Sequence, residues 1–188
     1  TQKYLQAYEL AQTALAPTQA ARAGSGLGEV AFRQGDDPTA THYHQQALGL
    51  RQELDARPGQ VQSLRSLGQV ANAQGEYEIA RHHYLQALQL AQQMGNRPYE
   101  GQLLLNLGES DWRQGAYPQA ETHLQQSLTL AQTTGDKFTT AAAWKSLGAV
   151  AYFQGQYNRA TDYWKQSLLL SQEIGDRAGF LAQQRRLN

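Results

Sequence analysis

Apolar side chains recur along this chain with the spacing of one helical face, and the same stripe returns every 40 residues. Leu64, Leu67, Gly68 and Ala71 fall at i, i+3, i+4 and i+7, and Trp144, Leu147, Gly148 and Ala151 repeat the set. A second stripe runs through Ala80, Tyr84, Ala87, Leu88 and Ala91, with copies that begin at Ala120 and Ala160. Neither stripe alternates as a half-buried strand would. Punctuation agrees with the periodicity. Gly35, Gly75, Gly115 and Gly155 stand where the first helix of each repeat should end, because glycine takes the left-handed conformation without a steric penalty. Pro38 and Pro118 stand just inside the second helix, where a missing N–H costs nothing. Gly95, Gly135 and Gly175 close the second helix, and Pro58 and Pro98 open the next repeat.

A helix pair of this size cannot bury its apolar face alone, so a fixed period in this range predicts pairs stacked on their neighbours. The expected fold is all-α: an α-solenoid of antiparallel helix pairs in one domain. Its expected parts are a half unit at 1–16, four units at 17–56, 57–96, 97–136 and 137–176, and a truncated half unit at 177–188. Leu-Gly occurs at the same register in all four units, at Gly28, Gly68, Gly108 and Gly148. Glycine inside a helix costs roughly 1 kcal/mol against alanine, so close helix contact should offset it. Ala40, Ala80, Ala120 and Ala160 would meet these glycines from the facing helix, with Tyr84, Leu124 and Trp164 filling wider gaps nearby. The extra glycines at Gly24 and Gly26 are expected to loosen the first helix of their unit.

The order Trp144-x2-Leu147-Gly148-x2-Ala151, then Gly155, Tyr157, Ala160-x3-Trp164 and Ser167, resembles the tetratricopeptide repeat signature, and its copies cover nearly the whole chain. The unit is 40 residues rather than 34, and Gln52, Gln92, Gln132 and Gln172 stand where a proline commonly closes the second helix. Longer helices explain both departures. The 40-residue form is similar to arrays in bacterial signal-transduction ATPases and related regulators, and to cell-polarity scaffolds. That resemblance implies a right-handed α-solenoid, a superhelix, with peptide or helix binding in a concave groove lined by the first helices. The chain begins and stops mid-unit, which suggests a piece of a longer protein whose uncapped ends allow self-association.

Sixteen Lys and Arg balance sixteen Asp and Glu, so the formal net charge is zero and nothing drives the whole chain toward nucleic acid or an anionic membrane. No cysteine is present, which removes disulfides, thiolate metal sites and a cysteine nucleophile together. No apolar run reaches the ~20 residues of a membrane span, and a cytoplasmic location is expected. His42 and His82 share a column, as do His83 and His123, but no column gathers the three ligands that zinc needs. Gly24-Ser25-Gly26-Leu27-Gly28 lacks the Lys-Ser/Thr that follows a phosphate loop. No cofactor, no metal and no enzymatic activity is expected.

At ~100° per residue, positions one, five and eight after Leu64 point away from the Leu64/Leu67/Ala71 stripe. They define the columns Ser25, Arg65, Leu105, Lys145, Arg185; Glu29, Gln69, Glu109, Ala149; and Phe32, Asn72, Trp112, Tyr152. Arg33, Ala73, Arg113 and Phe153 lie beside the last. Aromatic and arginine side chains dominate binding hot spots, yet the aromatic column lies about 40° from the glycines, so groove and inter-repeat packing both stay open for it. Arg65, Lys145 and Arg185 would suit a carboxylate-bearing peptide, or would be a solvated face. Asn106 occupies a register where the polarity-scaffold relatives place an asparagine on peptide backbone. The candidate groove is therefore Arg65, Gln69, Asn72, Leu105, Asn106, Glu109, Trp112, Arg113, Lys145, Tyr152 and Arg185. The expected function is a non-catalytic module that binds a peptide, helix or partner domain. The alternative is a purely structural or self-assembling array.

Overall fold

The structure, a computed structural model, describes residues 2–13 and 16–175. Among these residues all regular structure is helical: α1 (Gln2–Thr13), α2 (Pro17–Arg33), α3 (Asp37–Glu53), α4 (Arg57–Ala73), α5 (Tyr77–Gln93), α6 (Arg97–Arg113), α7 (Tyr117–Thr134), α8 (Lys137–Phe153) and α9 (Tyr157–Glu173). The chain divides into two compact bodies, Thr1–Ala91 and Gln92–Asn188. In the first, α2 packs on α1 and α3, and α3 on α4; in the second, α6 packs on α7 and α8, and α8 on α7 and α9. The all-α repeat of helix pairs expected from the periodicity is therefore present.

The local signals act as their chemistry requires. Gly35, Gly75, Gly115 and Gly155 follow first helices with φ between 76° and 86°, the left-handed region that ends a helix. Gly95, Gly135 and Gly175 do the same after second helices, and Asp55 takes that register after α3 with φ 47°. Asp36, Asn96 and Asp136 cap α3, α6 and α8 by accepting from the backbone N–H three residues on. Burial pushes the Asp136 carboxyl up, but hydrogen bonds from Thr139 and Gln102 outweigh it and hold the group below its ordinary value.

The four Leu-Gly glycines differ from expectation in what they receive. Each faces one large side chain of the following helix, not mainly the facing alanine. A Cβ on Gly28 would lie 2.7 Å from the His44 ring, and one on Gly108 would lie 2.6 Å from Leu124 Cγ. At Gly68 and Gly148 it would run into the rings of Tyr84 and Trp164. Residues 44, 84, 124 and 164 form one column, so the glycine cost is offset by seating a bulky side chain in the hairpin. Ala40, Ala80, Ala120 and Ala160 are buried beside them. The same device corrects the reading of α2. It stays an unbroken helix because Tyr8 packs over Gly24 and Tyr4 over Gly26, where a Cβ would lie 2.5 Å from the ring.

Candidate functional site

Each body carries a groove walled by first helices. In the first body α2 and α4 border a groove of about 800 Å³. Arg22, Ser25, Glu29 and Arg33 reach it from α2, and Arg65, Ser66 and Gln69 from α4. Tyr4 from α1 and the buried His44 from α3 also line it. Helical spacing puts Ser25, Glu29 and Arg33 on one face of α2, and the 40-residue register repeats that face on α4 at Arg65 and Gln69. Arg33 Nε donates to Glu29 Oε1 at 2.6 Å. Ser25 Oγ is buried with no hydrogen-bond partner. Burial, more than the field of Arg51, lowers the His44 imidazole below its ordinary value, against the opposing pull of Glu29, and keeps it neutral.

In the second body α6 and α8 present the same register with different chemistry. Glu109, Trp112 and Arg113 face Lys145, Ser146 and Ala149 across a recess of about 130 Å³. Beside it Trp112, Ala149, Tyr152, Phe153 and Trp164 line an apolar pocket of about 370 Å³. Ser146 Oγ donates to Glu109 Oε1 at 2.8 Å and ties the two helices together. Trp112 stacks on Phe153 at 5.6 Å, and Phe153 stacks on Tyr117 at 6.1 Å. Tyr152 meets Phe153 and Tyr157 edge-on and tilts over Trp164. Arg113 lies 5.9 Å from the Trp112 ring, within cation–π range.

The structure thus places Arg65 and Gln69 at one groove, and Glu109, Trp112, Arg113, Lys145 and Tyr152 at the other. Leu105 instead packs, half-buried, against the core around Leu124 and Leu147. Asn106 and Asn72 are half-buried and line neither recess, though Asn72 Oδ1 is buried without a partner. Arg185 lies outside the described residues. The aromatic column divides between its two readings. Phe32 packs against Ala31, Ala40 and Val70, Trp112 both pads the core and lines the groove, and Tyr152 is 49% exposed.

Sequence reasoning missed Arg22, Ser66 and Trp164 as groove residues, although Ser66 shares a register with Asn106. It also missed two polar substitutions inside the stack. Arg51 occupies the column of Ala91 and Ala131, is only 6% exposed, and donates to Gly59 O at 3.1 Å and to Ser63 Oγ at 2.6 Å. Asp111 replaces the column alanine of Ala31, Ala71 and Ala151, is 2% exposed, and shares a 2.6 Å hydrogen bond with His123 Nδ1. A column-by-column comparison signals both, since each is the one charged residue in a column of small ones. Among the described residues no three His, Asp or Glu converge as metal ligands. No described helix is long and apolar enough to cross a membrane.

The tetratricopeptide repeat family model matches residues 19–93, 60–133 and 99–173. No curated protein matches the sequence. Among solved structures, aspartyl phosphate phosphatase F from Bacillus subtilis superposes with a TM-score of 0.82 at 18% identity, over 89% of this chain and 44% of that one. A Rap protein complexed with competence and sporulation factor gives 0.75 at 17% identity, over 92% and 46%. A signal transduction ATPase with numerous domains from Pyrococcus horikoshii, which has a tetratricopeptide repeat sensor, gives 0.76 at 16% identity, over 89% and 26%. The chain spans less than half the length of each, and at these identities the likeness concerns the fold. By its repeat signature and the family match along most of its length, the chain belongs to the tetratricopeptide repeat family.

Proposed function

We propose that this chain is a non-catalytic recognition module whose first helices bind a peptide, a helix or a partner domain, as the sensor or scaffold part of a larger regulator. One observation carries the reading: the same three register positions of successive first helices line a groove in both bodies. Ser25, Glu29 and Arg33 with Arg65 and Gln69 do so in one, and Glu109 and Arg113 with Lys145 and Ala149 in the other. These side chains stand on preformed helices, so capture of a ligand costs little ordering of the receptor. Trp112 and the arginines supply the side-chain types that anchor interfaces. The neighbours named for a complex with competence and sporulation factor and for a sensor role lend the reading context, and no convergent acid, base or nucleophile among the described residues favours an enzyme.

The test is selection of binders from a random peptide library against the whole chain, followed by titration of the selected peptide. The double variant Arg65→Ala with Trp112→Ala removes one anchor from each groove and should abolish capture with the helical content retained. Undiminished capture by a folded double variant rejects this face.

A further inference from the structure

The α2/α4 groove has a composition that narrows what it can hold. Among the described residues four arginines line it, Arg22, Arg33, Arg51 and Arg65, against one acidic residue, Glu29. Glu29 is already engaged by Arg33, and Arg51 turns to Gly59 and Ser63. Counted by formal charge, the described lining carries a positive excess, in a chain whose overall charge is zero. Ser25 Oγ, buried without a partner, sits one helical turn from Arg22 and in the same register as Arg65 on the adjacent first helix. A buried hydroxyl without a partner is costly, and an incoming acceptor relieves it. Ser66, Gln62 and Gln69 add neutral hydrogen-bonding groups along the same wall.

We propose that this groove binds an acidic polypeptide segment, its side-chain carboxylates held by Arg22 and Arg65 with Ser25 between them. This rests on the reading of the first-helix faces as recognition surfaces and names the partner for one of them. A groove of about 800 Å³ is far larger than a single small anion and takes several residues of peptide. The two cations stand on different helices, which suits successive singly charged groups better than one doubly charged phosphate, whose recognition calls for arginines converging on one point. Planar guanidinium forks match carboxylates in two-point contacts.

The experiment titrates the whole chain with three labelled ten-residue peptides: one alternating Glu and Ala, its Gln counterpart, and the Gln peptide carrying one phosphoserine. The Glu peptide should bind at least roughly tenfold tighter than the other two, as expected for charged hydrogen bonds, and weaken as salt rises. Arg22→Ala, an exposed substitution that leaves the fold intact, and Arg65→Ala should each weaken it by roughly tenfold, while Phe138→Ala, an exposed substitution outside both grooves, should not. Equal affinity for the Glu and Gln peptides, tighter binding of the phosphoserine peptide, or indifference to Arg22→Ala overturns the inference. If a library-selected ligand still depends on Arg65 and Trp112 while the Glu peptide does not bind, only the acidic assignment falls. If the selected ligand ignores both substitutions, the recognition face falls with it.

Discussion

The two bodies are built on one 40-residue frame and present opposite chemistry on it. In Thr1–Ala91 the groove positions are Arg22, Ser25, Glu29, Arg33, Arg65 and Gln69, and in Gln92–Asn188 the equivalent wall runs into Trp112, Tyr152, Phe153 and Trp164. The difference reaches the interior. The first body buries Arg51 against Gly59 where the second has Ala131 and Thr139 at the matching positions, and the second buries Asp111 where the first has Ala31 and Ala71. What stays constant is the hairpin seat, a glycine under one large side chain. Two of the seated side chains, His44 and Trp164, also line the grooves, so the frame and the recognition chemistry meet at those positions and vary freely only in the columns beside them.

The comparison breaks most strongly if the seat is emptied. Trp164→Ala removes the indole from Gly148 and its Nε1 hydrogen bond to Lys145 O, and should cost about 3–5 kcal/mol in chemical denaturation. A cost below about 1 kcal/mol would mean that the column does not hold the hairpins together. Arg51→Ala, which strands Ser63 and opens a hole beside Gly59, should cost about 2–3 kcal/mol. A surface arginine would cost almost nothing.

The bodies should also part on acidification. His44 is lowered by burial first and by Arg51 after it, and His83 by burial first and then by His82. A histidine whose folded value lies below its ordinary 6.5 gives stability that is full above 6.5 and lost as pH falls through the folded value, because the unfolded chain takes the proton more readily. Both residues lie in Thr1–Ala91, so the protection factors there, taken against the intrinsic exchange rate at each pH, should fall below pH 6.5. His44→Leu should flatten that slope, and an unchanged slope contradicts the assignment. The smallest effect belongs to Asp55, the one non-glycine residue with positive φ among those described. Asp55→Gly should raise stability by about 0.5–1 kcal/mol, read as a higher melting temperature, by removing left-handed strain.

How far the sequence foretold this follows from the physics of each signal. Helices, turns and their phase were legible because glycine and the 3.6-residue stripe act locally and recur in every unit, with proline at some of the same registers. The family resemblance nominated the first-helix face and helical angle set its columns; Arg65, Gln69, Glu109 and Lys145 of those columns line recesses, while Leu105 packs, half-buried, against the core, because an apolar side chain in that column gains by leaning onto its neighbours. The partner of each Leu-Gly glycine was not legible, because helix spacing says which faces meet and not which side chain fills the space. Arg51 and Asp111 read as surface charges until the hydrogen bonds that permit their burial are seen.

The most direct measurement is hydrogen exchange across the chain with and without a library-selected peptide. Protection confined to α2, α4, α6 or α8, and lost in the Arg65→Ala, Trp112→Ala double variant, is the expected result. Protection falling on α3, α5, α7 or α9 instead would place recognition on the other face and contradict the assignment of the grooves.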